Sequence, residues 1–70
     1  MTNQIFLQPP PISVSVDDAA RMIGVGTTTM WKLVKEGQVE TRRFHRRTLV
    51  MVESLRTFVH SLPVEATAHR

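Results

Sequence analysis

The sequence predicts one small domain, mainly α, with a β-hairpin between its second and third helices. Three observations predict it. Two stretches of helical periodicity, Val16 to Ile23 and Met30 to Val34, are separated by Gly24-Val25-Gly26. A run with β-branched and aromatic positions, Val39, Thr41, Phe44, Thr48 and Val50, follows. A third helical stripe then runs through Val52, Leu55, Phe58, Val59 and Leu62. Seventy residues make a single domain. A chain of this size buries only about 60% of its unfolded surface, so the core is thin and a deep catalytic cavity is not expected.

Residues 1–13 read as an N-terminal arm. Pro9-Pro10-Pro11 favours an extended conformation and cannot continue a helix. Ile5, Phe6 and Leu7 either tuck against the core or pair as a short edge strand, and the sequence does not choose. The folded domain is expected over residues 14–62. Ser15 is a good N-cap, and Asp18 three residues later approximates a capping box. Val16, Ala19, Ala20 and Ile23 give the first helix its inner stripe, and Gly24 ends it. The second helix starts at Gly26 or Thr27 and runs to Glu36, with Gly37 as its stop. The hairpin is expected over residues 38–50 with its tip near His45-Arg46, where histidine tolerates a positive φ better than most residues. The third helix spans Val52 to Ser61, lacks a good cap and is closed by Pro63. Residues 63–70 read as a loose tail.

Composition excludes several classes. There is no cysteine, hence no disulfide framework and no thiolate zinc site, which fits a reducing cytoplasm. No apolar run approaches the ~20 residues that span a bilayer. The N-terminus lacks the basic and apolar regions of a signal peptide. Asp17 and Asp18 fall at a helix start, where capping and the helix dipole explain them better than catalysis or a metal. His45, His60 and His69 show no metal-ligand spacing. No nucleophile–base pair, phosphate-binding glycine loop or paired carboxylate site appears, so neither an enzyme nor a cofactor is expected.

The charge pattern points toward a polyanion. The net charge is +3, and Arg42, Arg43, Arg46 and Arg47 lie within six residues, with Lys32 and Lys35 just upstream. The bland alternative is a solvated surface. On the second helix Met30, Leu33 and Val34 form the apolar stripe, which leaves Thr28, Trp31, Lys32 and Lys35 opposite. A lone tryptophan in a small domain is commonly core, but its phase places it outside. There its indole N–H can bond a phosphate. The major groove of B-DNA admits one α-helix. The hairpin arginines suit phosphates or an adjacent minor groove. On the two strands alternate residues face inward, so at least one arginine is expected to serve structure.

The run V-D-D-A-A-R-M-I-G-V-G-T-T-T-M-W-K-L-V-K-E-G-Q-V, followed by T-R-R-F-H-R-R-T and by Ser54-Leu55-Arg56-Thr57-Phe58, resembles excisionase-like, MerR-like winged helix-turn-helix domains. The resemblance covers about residues 14–62. It implies that the second helix is a recognition helix and the hairpin a wing. It matches Thr27, Thr28, Trp31, Lys32 and Lys35, together with Arg43, Arg46 and Arg47, to the family's DNA-facing positions. Arg42 joins them from its place in the basic run. The resemblance implies double-stranded DNA as partner, a cognate integrase, and further copies of the chain along the DNA. The expected role is that of an excisionase, a recombination directionality factor that binds and bends attachment-site DNA, associated with the nucleoid. A small transcriptional regulator on the same scaffold is the alternative, and a protein-interaction module with an acidic partner is a third. Gly26 departs from the family's serine cap, and His45 stands where a wing glycine is frequent. The long dimerisation helix and effector domain of MerR-like regulators have no counterpart, so no small-molecule effector is implied.

Overall fold

A computed structural model describes residues 10–65 of the chain. In order the elements are β1 (Ser13–Val14), α1 (Val16–Ile23), α2 (Thr27–Lys35), β2 (Thr41–Phe44), β3 (Arg47–Met51) and α3 (Val52–His60). The strands form one antiparallel sheet in the order β1-β3-β2. The arrangement is a small α+β domain of three helices and a three-stranded sheet, in place of the mainly α domain with a lone hairpin that the sequence predicts. The difference is β1. It is two residues long and too short for any periodicity to show, and it starts at Ser13, the last residue of the expected arm. Ile5, Phe6 and Leu7 lie outside the described residues.

Each helix end has a local cause. The Ser15 hydroxyl accepts the Asp18 backbone N–H at 3.1 Å. The Asp18 carboxylate takes Arg21 at 2.6 Å instead of returning to the Ser15 N–H, so half of the capping box forms. Gly24 adopts φ 80° and donates its N–H to the Ala20 carbonyl, which stops α1. α2 starts at Gly26 without a side-chain cap. It ends in a Schellman motif: Gly37 at φ 74°, its N–H on the Val34 carbonyl at 3.1 Å, and the Gln38 N–H on the Leu33 carbonyl at 3.0 Å. Met51 gives α3 no side-chain cap, as the apolar run before it suggests.

Register fixes what each strand buries. Thr41 faces Val50 and Val14 faces Val50 from the other side, so these three share one face of the sheet. That face meets the core. Val16, Ala19 and Ala20 of α1, Met30 of α2, Val39 of the α2–β2 connection, Val50 of β3 and Leu55 of α3 are all buried. Val14, Ile23, Val25, Leu33, Val34 and Phe58 pack around them. The alanines let α1 approach α2 closely, and Met30 fills the centre with no exposed surface.

The root of the hairpin is tied to α3 by one side chain. The Ser54 hydroxyl accepts the Glu40 N–H at 2.9 Å and donates to the Met51 carbonyl at 2.7 Å. The Met51 N–H also reaches the Glu40 carbonyl at 2.9 Å. The hairpin turn consists of His45 and Arg46, as the sequence suggests, with His45 at φ 56°. A positive φ at the first of two central residues is the sign pattern of a II′ turn, where glycine is usual.

Candidate nucleic-acid interface

The exposed side of α2 follows from its buried side. Met30 is buried and Leu33 and Val34 are half-buried against the core. Thr28, Trp31, Lys32 and Lys35, at i, i+3, i+4 and i+7, form the exposed stripe opposite. Thr27 is exposed as well, at the first helical position and toward the flank of that stripe. Lys32 and Lys35 lie in the last turn, where the negative end of the helix dipole favours cations.

Trp31 is 44% exposed, neither core nor free. It lines a shallow groove with Ser15, Val16 and Asp17 at the start of α1 and with Arg46, Arg47 and Thr48 of the hairpin. The structure therefore brings the outward tryptophan of α2 and two hairpin arginines to one place. Asp17 shares that groove, a neighbour that the capping argument did not anticipate.

The four hairpin arginines divide by strand geometry. Arg43 lies opposite Thr48 and Arg42 opposite Leu49, so the two point to opposite faces of the sheet. All four are exposed, and none enters the core. Arg42 is the one with structural partners. It pairs with Glu40 at 2.5 Å and donates to the Thr41 carbonyl at 3.1 Å.

Counting ion pairs sharpens the charge pattern. The eight described lysines and arginines include three paired with acids: Arg21 with Asp18, Arg42 with Glu40 and, at 3.9 Å, Arg56 with Glu53. The five without an acidic partner among the described residues are Lys32, Lys35, Arg43, Arg46 and Arg47. All five sit on α2 or the hairpin. Scattered surface cations would be expected to pair as often there as elsewhere.

Phe44 escaped notice in the sequence as a functional position. It reads there as an ordinary strand residue, yet it is 57% exposed at the end of β2. The signal available was its place between two arginine pairs. Among the described residues no three His, Asp or Glu side chains gather as metal ligands. No described helix is long and apolar enough to cross a membrane. No protein-family model, curated protein or solved structure matches this chain.

Proposed function

We propose that the chain is a sequence-specific DNA-binding module of the winged helix-turn-helix kind. α1 and α2 serve as the helix-turn-helix, with α2 in the major groove and the β2–β3 hairpin as the wing on the flanking backbone. The observation that carries this reading is that, among the described residues, the five cations without an acidic partner all lie on α2 and the hairpin, with Arg46 and Arg47 lining one groove with Trp31. The geometry suits the task. A groove about 12 Å wide accepts one helix, and arginine forks match phosphate oxygens. Thr27 and Thr28 stand at the N-terminal end of α2, where such helices contact base edges. Lys32 and Lys35 reach guanine acceptors or phosphates.

Within that class, the particular role proposed is an excisionase acting in the nucleoid. Its support is the resemblance carried by residues 14–62. It needs no catalytic group of its own, only a two-point grip that favours bent DNA, with an integrase and further copies of the chain as partners. One small module buries about 600–1,000 Å² of protein surface on DNA, which leaves affinity dependent on neighbours.

Two experiments test the two levels. Selection from a random duplex library should enrich a defined site, with affinity that falls steeply with salt. Failure to enrich any site removes the DNA-binding reading. In vitro excision with a cognate integrase should then depend on the protein. DNA binding without stimulation of excision favours the transcriptional regulator instead.

A further inference from the structure

The hairpin tip has a composition that phosphate binding alone does not require. Arg42-Arg43-Phe44-His45-Arg46-Arg47 places two aromatic rings between two arginine pairs. Phe44 lies directly opposite Arg47 and precedes the two-residue turn. Its ring meets His45 edge-on, with centroids 4.3 Å apart and planes at 64°. It is 57% exposed and takes no part in the core cluster. A phenylalanine at the end of a hairpin, with Arg47 opposite it and arginine pairs on either side in sequence, gains nothing from water. A hairpin that needed only charge repulsion at its edge would be served by the arginines alone.

We propose that Phe44 is a wedge. When the arginines enter the minor groove beside the α2 site, its ring inserts between two base pairs, unstacks them and kinks the duplex. This rests on the DNA-binding reading above and adds to it the residue that bends the DNA and a sequence preference. Three considerations converge. Arginine is drawn to the negative potential of the minor groove. Apolar side chains on minor-groove binders insert between base steps and bend DNA toward the major groove. A bend in that direction widens the minor groove around the hairpin tip and leaves the protein on the convex side, with Lys32 and Lys35 of α2 anchoring it in the neighbouring major groove. The preferred step is pyrimidine–purine, since TA and CA steps unstack most easily.

The test uses the full chain and the duplex that it selects from a random library, about 30 base pairs long, with a fluorophore at each end. A second copy of the duplex carries 2-aminopurine at each candidate step in turn. At saturating protein the wild type should raise end-to-end energy transfer and brighten 2-aminopurine at one step. Phe44→Ala should lose more than half of the transfer change and all of the brightening. Phe44→Leu, which keeps an apolar wedge, should retain both. Replacing the kinked TA or CA step by AA should weaken the wild type about 30-fold, mid-range for one altered base pair, and leave Phe44→Ala unaffected. Circular dichroism melting checks that both variants fold, which the exposure of Phe44 favours. Equal bending by wild type and Phe44→Ala overturns the wedge. So does a Phe44-dependent preference for single strands over duplex, which would make the ring a stacking platform. Should the wild type select no duplex, the DNA-binding reading itself has failed; should it select one and bend it without Phe44, only the wedge has.

Discussion

Removing Arg46 and removing Arg42 should affect DNA binding differently, although the two lie four residues apart in the same basic run. Each cation that neutralises a phosphate releases counterions, and the log–log salt slope steepens by about 0.9 per phosphate. Five unpaired cations on α2 and the hairpin therefore give a slope near −4.5, which is roughly a 500-fold loss of affinity between 50 and 200 mM salt. Arg46→Ala should flatten the slope by about 0.9, which is about 3.5-fold over the same interval. Arg42 carries Glu40 with it, so a phosphate that meets Arg42 meets a neutral pair. Arg42→Ala should change the slope by less than about half as much. Glu40→Gln should release Arg42 and steepen it by up to about 0.9. Fluorescence anisotropy titrations at four or more salt concentrations measure all of this. Equal flattening by Arg42→Ala and Arg46→Ala would refute the argument from ion pairing. An unchanged slope in Arg46→Ala would remove the hairpin from the grip.

The other predictions concern the scaffold and the groove. Leu55 is 2% exposed, so Leu55→Ala should cost about 2–5 kcal/mol, a large share of what a domain this small possesses, and chemical denaturation should show it. A denaturation midpoint like the wild type's would mean that α3 does not close the core. Ser54→Ala removes one exposed and one part-buried hydrogen bond, to the Glu40 N–H and the Met51 carbonyl, and should cost about 0.5–1.5 kcal/mol, read as a lower Tm. A wild-type Tm would show that the hairpin root does not depend on that hydroxyl. Asp17→Asn should move binding and stability in opposite directions. Removing a carboxylate from a groove that meets phosphate relieves repulsion and should strengthen binding about two- to threefold, while losing its place in the first turn of α1 costs about 0.3–1 kcal/mol of stability. Weaker DNA binding by Asp17→Asn would mean that the groove beside Trp31 faces away from the nucleic acid.

What the sequence revealed and what it hid divide along physical lines. α1 and α2 were legible because serine and glycine punctuation agrees with the apolar spacing, and consistent local signals locate an element well. The turn at His45-Arg46 was legible from the interruption of a β-branched run, even without glycine. β1 was not, because a two-residue strand is defined by its partner: Ser13 and Val14 pair with Met51 and Val50, almost forty residues away. The same holds for Ser54. A serine in the first turn of a helix is unremarkable until Glu40 is brought beside it. At the candidate interface, helical phase alone gathered Trp31, Lys32 and Lys35. What sets Arg42 apart from the other hairpin arginines is its ion pair with Glu40, which a run of basic residues does not reveal.

The distribution of ion pairs bears on why this surface exists at all. Asp18, Glu40 and Glu53 each take an arginine near them in sequence, which shows that short-range pairing is available to this fold. Glu36 directly follows Lys35 and Asp17 shares a groove with Arg46 and Arg47, yet neither forms an ion pair. Like charges concentrated on two elements repel, and a domain with a thin core has little stability to spare for that repulsion. An exposed pair contributes only about 0–1 kcal/mol, so stability alone exerts weak pressure either to make or to avoid one. Leaving five cations without an acidic partner among the described residues, with Trp31 and Phe44 exposed on the same two elements, is a cost that the polyanion partner proposed above would remove on binding. On the reading proposed above, an acidic protein partner would supply the charge but no base step for Phe44.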